Sequence, residues 1–167
     1  MPAELYEITP CPQGRLATMP RPRGGEWLQG ELASLKTRDV TDVISLLTEP
    51  EEAELGLLAE AQLCEEVGMK FHRFLVRDRG VPVQPDFDNF ISSLLPVLKR
   101  GGFIAVHCRA GIGRATVVAA AFLCRLGVST EEAIAVISET RGFDVPDTDE
   151  QYEFIFAYDL LHRPATE

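Results

Sequence analysis

The sequence predicts an α/β chain, a central and mostly parallel sheet flanked by helices. Three observations carry that prediction. From Glu26 onward, short apolar runs of strand length alternate with longer segments of helical period. The runs over residues 43–47 and 103–106 contain no charged residue, as strands covered on both faces do. With 167 residues, 46% of them apolar and 25% charged, the chain is globular in composition and long enough for one sizeable core.

The elements follow in order. Residues 1–25 are expected to form an N-terminal extension or hairpin packed on a single domain of residues 26–167, with short strands at 5–8 and 16–19 and a loop in Pro20-Arg-Pro-Arg-Gly-Gly25. Residues 27–36 suit a helix and 43–47 (Val-Ile-Ser-Leu-Leu) a buried strand. Pro50 marks a helix start, with Glu51, Glu52 and Glu54 well placed in the first turn. That helix is expected to run to about Glu66 and stop at Gly68. Residues 71–76 form the next strand. In residues 86–98, Phe87, Phe90, Ile91, Leu94, Leu95 and Leu98 recur at offsets of three and four on one helical face, with Asp86 as N-cap. Gly101-Gly102 end that segment before the strand at 103–106. Residues 114–126 are apolar nearly all round, as a helix inside the domain would be. Ser129 with Glu132, and Thr148 with Gln151, fit capping boxes that open two last helices.

Composition excludes several function classes. Sixteen Lys and Arg against 26 Asp and Glu give a net charge of −10, which opposes nucleic-acid backbones and anionic membranes. An anionic ligand must then be held in a locally positive pocket. Cys11, Cys64, Cys108 and Cys124 are far apart without a C-x-x-C pair, and His72, His107 and His162 are equally scattered, so neither zinc nor a disulfide scaffold is indicated. No signal-like or membrane-length segment is present in the sequence, and a soluble, reducing, cytoplasmic location is expected.

The chemistry is concentrated in Val106-His107-Cys108-Arg109-Ala110-Gly111-Ile112-Gly113-Arg114-Ala115-Thr116. A strand, a short glycine-containing turn and a helix N-terminus present consecutive backbone N–H groups to an anion. Gly111 and Gly113 permit the backbone angles that curl those amides inward. A thiol in that hollow feels the amides and the positive helix end, which favour the thiolate. Arg114 adds a planar fork for two phosphoryl oxygens. The bland alternative is a small apolar cysteine at a strand end beside a surface arginine.

His107-Cys108-x-x-Gly111-x-Gly113-Arg114 resembles the H-C-x5-R signature loop of the cysteine-dependent protein tyrosine and dual-specificity phosphatases. The similarity runs from about residue 27 to 161 and is closest to the compact group that includes kinase-associated phosphatase and its bacterial relatives. The resemblance implies the protein-tyrosine-phosphatase-like fold, Cys108 as nucleophile, Arg114 as phosphate ligand and transition-state clamp, and residues Arg109, Ala110, Gly111, Ile112 and Gly113 as the rest of the phosphate cradle. It also implies a phosphorylated protein or peptide substrate and a phosphate or other oxyanion ligand, with no cofactor and no metal. The chain is expected to act as a monomer, without nucleic acid or membrane.

The leaving oxygen of a phosphate ester needs a proton, which a carboxyl on a neighbouring loop can give before acting as base toward water. Asp78, in Arg77-Asp78-Arg79-Gly80-Val81-Pro82, is the best candidate, and Gly80 and Pro82 shape a loop able to close over substrate. Asp86 and Asp88 compete, though Asp86 reads as a cap. Gln151 carries two readings, a water-positioning residue as in related enzymes or half of a capping box. His107 is expected to fix the loop and the thiolate through hydrogen bonds. The family's hydroxyl after the signature arginine is absent here. Ala115 takes its place and Thr116 follows, turned away by about 100° on a helix, so breakdown of a phosphocysteine is expected to be slowed or to use another donor.

Phosphotyrosine is the first expectation for substrate and phosphoserine or phosphothreonine the next. A phosphoinositide is a minor alternative, because only Arg109 adds a basic residue inside the loop and Ile112 does not. A phosphate-binding module without turnover, and sulfur transfer or arsenate reduction on a similar loop, are the rival classes. A reversible Cys64–Cys108 disulfide under oxidation is a further alternative.

Overall fold

The computed structural model describes residues 3–163. Five strands form one sheet, β1 (Tyr6–Glu7), β2 (Arg15–Met19), β3 (Asp42–Ser45), β4 (Lys70–Arg73) and β5 (Phe103–His107), in the order β1-β2-β5-β3-β4. Only the β1–β2 pairing is antiparallel. β5 runs parallel to both of its neighbours, Ala105 standing opposite Ala17 on β2 and Val43 on β3, and β3 pairs parallel with β4. The hairpin thus enters the sheet through β2.

Alternation along the strands assigns the two faces. Leu16, Ile44, Ile104 and Val106 point to one side, where α4 (Asp86–Lys99), α5 (Arg114–Arg125), α6 (Thr130–Arg141) and α7 (Asp149–His162) close the larger apolar cluster. Ala17, Val43, Phe103 and Ala105 point to the other, against α1 (Leu28–Thr37) and α3 (Glu60–Glu66). α5 is buried from Arg114 through Cys124. Fully buried Val117, Val118, Phe122 and Leu123 each contribute about 1.5–3 kcal/mol, so the N-terminus of α5 is held on a rigid base.

Two expectations are corrected. The stretch 50–66 is two helices, α2 (Glu49–Glu54) and α3, with Gly56 between them at φ +72°. The interruption is tertiary in origin: Gly25 N–H donates to the Gly56 carbonyl at 3.0 Å, which holds the backbones at 24–25 and 55–56 against each other. α2 is opened by Thr48, not by Pro50 alone. At α4 the cap is not Asp86, which already lies in the first turn. The Gln84 side chain does the work, accepting from Asp88 N–H at 3.0 Å.

Because β2, β3, β4 and β5 are parallel, their carboxyl ends share one edge of the sheet, the usual location of ligand sites in open α/β sheets. Among the described residues no helix is long and apolar enough to cross a membrane.

Candidate active site

At the carboxyl end of β5 the chain turns through 108–113 into α5. Gly111 is at φ +75°, and a side chain there would place its Cβ 2.5 Å from the Met19 carbonyl oxygen and 2.8 Å from Pro20 N. Positive φ and close approach to β2 therefore both require glycine. The turn is anchored again where Arg21 N–H donates to the Arg109 carbonyl at 3.1 Å. Inside it, Cys108 is buried and its Sγ accepts from Gly111 N–H at 3.3 Å. α5 opens at Gly113, with no side-chain cap, so no side chain claims its first-turn amides.

Arg114 is fixed from below. Its Nη1 donates to Glu51 Oε1 at 2.8 Å and its Nη2 to Glu51 Oε2 at 2.9 Å, and Nη1 also reaches the carbonyls of Val76 (2.9 Å) and Leu46 (3.5 Å). Glu51 is itself held: its Oε1 accepts from Thr48 N–H at 3.0 Å, and Glu51 N–H donates back to Thr48 Oγ1, completing a capping box. Burial raises the Glu51 pKa, but the hydrogen bonds from Arg114 and Thr48 and the guanidinium charge outweigh it and bring the value down to about 2.

The loop after β4 supplies Asp78, whose Oδ1 accepts from Arg114 Nη2 at 3.3 Å while its side chain remains 62% exposed. Two contacts hold this loop over the turn. Gln151 Nε2 donates to the Gly80 carbonyl at 3.1 Å, and Arg79, at φ +63°, pairs with Asp147 at 3.8 Å. Gln151 also resolves its double reading in part. Its backbone N–H is capped by Thr148 Oγ1 at 3.1 Å, but its side chain does not return to the cap. It reaches the Asp78 loop instead, and its Oε1 is buried without a partner. A Cβ on Gly113 would collide with Asp147 Oδ1 and lie 2.8 Å from Gln151 Oε1. Asp78, Arg79, Arg109, Ala110, Ile112, Gly113, Arg114, Asp147 and Gln151 thus enclose one cavity of about 210 Å³, below the range of drug-sized pockets and suited to a phosphoryl group with part of its carrier.

Of the residues singled out in the sequence, Arg114, Asp78 and Gln151 converge on this cavity, and Cys108 is buried within the turn that walls it. His107 does not join them. It points to the opposite face, where Nε2 meets Glu60 Oε2 at 2.7 Å and Nδ1 meets the Cys108 carbonyl at 3.3 Å. Arg109 lines the cavity but is engaged by Glu51 (3.4 Å) and Glu54 (3.2 Å). The Thr116 hydroxyl donates to the Ile112 carbonyl at 2.6 Å, four residues back in the turn that leads into α5, while Ala115 is fully buried. Cys64 belongs to the apolar cluster on the face away from Cys108, and burial pushes its thiol up to about 12. The two thiols thus belong to apolar clusters on opposite faces of the sheet, which opposes a Cys64–Cys108 disulfide. Sequence reasoning missed Glu51, Glu60 and Asp147. Thr48-x-x-Glu51 was a readable capping box; Glu60 and Asp147 carried no local signal. Among the described residues no group of His, Cys, Asp and Glu side chains gathers as a metal site.

A family model described as "Polymorphic toxin system, DSP-PTPase phosphatase" matches residues 17–128. Cyclin-dependent kinase inhibitor 3 of Rattus norvegicus is 26% identical over 133 residues, which span 78% of this chain and 63% of that protein. Less than two thirds of that relative is therefore covered. The crystal structure of kinase associated phosphatase, with its catalytic-site cysteine replaced by serine, superposes with a TM-score of 0.86 at 22% identity, covering 98% of this chain and 99% of that one. PTPMT1 in complex with PI(5)P superposes with a TM-score of 0.72 at 22% identity, over 87% and 90% of the two chains.

Proposed function

Because this chain belongs to the DSP-PTPase phosphatase family of polymorphic toxin systems, we propose that it hydrolyses phosphate monoesters on proteins, phosphotyrosine first and phosphoserine or phosphothreonine next, through a phosphocysteine at Cys108. One observation carries this reading: Cys108 Sγ receives an inward N–H at the foot of a turn whose Arg114 is locked in place by Glu51. The anion clamp and a carboxyl line one small cavity, and the nucleophile lies buried within the turn that forms its wall.

The substrate phosphoryl group enters by taking over the Nη2 contact that Asp78 now occupies on Arg114. Glu51 keeps the guanidinium plane fixed during that exchange, so no reorganisation is needed as charge spreads over the equatorial oxygens. The Cys108 thiolate attacks phosphorus, the P–S bond forms, and the ester P–O bond breaks. Asp78, displaced but still beside the cavity, gives its proton to the leaving oxygen. In the second step water attacks phosphorus and the P–S bond breaks. The Asp78 carboxylate takes the water's proton, phosphate leaves and the thiolate is restored. In this reading Gln151 accepts from that water, supported by its buried, unpartnered Oε1 beside Gly113. With Ala115 at the hydroxyl position and Thr116 committed to Ile112, the departing sulfur has only backbone donors to lean on.

A phosphoinositide substrate fits less well, because Arg109 is already paired with Glu51 and Glu54 and adds no free cation for a multiply charged headgroup. The test is turnover of a small aryl phosphate with Cys108→Ser and Asp78→Asn alongside. The Ser variant is expected to show no turnover. The Asn variant should lose most rate with poor leaving groups, by 10²–10⁴-fold as is common for a removed general acid (about that range), together with the basic limb of the pH profile. Wild-type protein that binds vanadate but releases no phosphate would instead mark a binding module.

A further inference from the structure

The Glu60–His107 pair plays no part in the steps above, yet it adjoins the nucleophile. The imidazole and the carboxylate are 0% and 1% exposed, with 2.7 Å between Nε2 and Oε2. The other ring nitrogen, Nδ1, faces the Cys108 carbonyl oxygen at 3.3 Å. An ionised carboxylate and a carbonyl can only accept. With Glu60 ionised, an acceptor faces each nitrogen, and a ring that donates to both is an imidazolium. Burial opposes that charge, but the Glu60 carboxylate, the Cys108 carbonyl and the more distant Glu52 outweigh it and raise the His107 pKa. Glu52 is itself held by Arg73 at 2.7 Å. The strand residues in register with His107, Met19 and Ser45, carry no charge.

His107 and Cys108 are consecutive, so their side chains leave the chain on opposite sides, and the ring acts on the sulfur through the peptide between Cys108 and Arg109. In a trans peptide the N–H points away from the C=O. The Arg109 N–H therefore faces away from His107, toward the turn. A cationic donor on the carbonyl polarises that peptide and strengthens its N–H as a donor, and the ring adds a positive charge one residue from the sulfur. We propose that Glu60 is a positioning residue which, by keeping His107 doubly protonated, makes the Cys108 thiol ionise more readily. This rests on Cys108 being the nucleophile of the proposed reaction.

The experiment measures alkylation of Cys108 by iodoacetamide across pH, followed on the peptide that contains it because half-buried Cys11 can also react. In Glu60→Gln the alkylation midpoint is expected to rise by about one pH unit, the scale of a lost neighbouring charge. Turnover of an aryl phosphate should fall up to about tenfold at acid pH and converge with wild type at alkaline pH, one unit being tenfold in thiolate. His107→Asn should raise the midpoint similarly, and adding Glu60→Gln to it should change nothing further. A folded Glu60→Gln protein with an unmoved midpoint overturns the proposal, whatever its melting temperature. If that variant does not fold, ¹⁵N spectra of the wild type decide: two N–H protons on His107 at neutral pH support the proposal and one overturns it. Absence of aryl phosphate hydrolysis by wild type would remove the phosphatase reading, while the alkylation midpoints would still report on Glu60.

Discussion

Glu51 joins two tasks in one carboxylate, capping α2 through Thr48 and holding both terminal nitrogens of Arg114. Its folded-state pKa of about 2 lies below the ordinary 4.5, so its contribution to stability is full above pH 4.5 and is lost as pH falls toward 2. The shift corresponds to roughly 3 kcal/mol. Glu51→Gln should therefore be less stable than wild type at neutral pH by a similar amount, and the two stability curves should converge between pH 4.5 and 2. Turnover should also fall, by about tenfold or more, since a slightly misplaced clamp forfeits orientation. Urea melts at several pH values check this; curves that stay parallel through the acid range would refute it. Cys108 and Arg114 were legible in the sequence because the whole turn is one short segment. Glu51 was not tied to Arg114 there, because 63 residues separate them and only the folded sheet edge brings them together.

At the scale of elements, apolar runs and caps gave away most boundaries. The strand at 103–106, the helix that starts at Arg114 and the Ser129 and Thr148 caps follow the observed structure closely. What escaped was decided by tertiary contact. Residues 50–66 have continuous helical composition, but the backbone at Gly56 must meet Gly25, and the helix breaks there. This break fixes where α2 ends and so where Glu51 is aimed. A side chain at Gly24 would run into the Leu55 carbonyl and lie 2.7 Å from that of Gly56. Gly24→Ala should cost about 1–3 kcal/mol, as overpacking does, and should lower turnover with it by shifting α2. Thermal melts and aryl phosphate kinetics on the same preparation test the link. An unchanged melting temperature would mean the two segments can separate freely, and full activity in a destabilised variant would mean α2 does not set the clamp.

Across the whole molecule, four parallel strands deliver their carboxyl ends to one edge, and each contributes to the site. β2 gives the Met19–Pro20 bench under Gly111, β3 leads to Glu51, β4 to Asp78, and β5 to Cys108. The net charge of −10 is reconciled with an anion site locally. Arg79, Arg109 and Arg114 are each in contact with at least one carboxylate, so in the proposed reaction backbone amides and one exchangeable Arg114 contact, not a broad basic surface, would supply the attraction. This arrangement makes the N-terminal residues part of the machine. β2 lies between β1 and β5 with all five of its residues in register with β5, from Arg15–Phe103 to Met19–His107, and Leu16, Ala17 and Met19 are buried on its two faces. Removing residues 1–19 would strip an internal strand, expose an edge of β5 and leave Gly111 unsupported. The truncated chain is expected to lose its cooperative unfolding transition and its hydrolytic activity together. If it still melted cooperatively and turned over substrate, the first 19 residues would be an appendage and the support beneath the catalytic turn would have to come from elsewhere in the sheet.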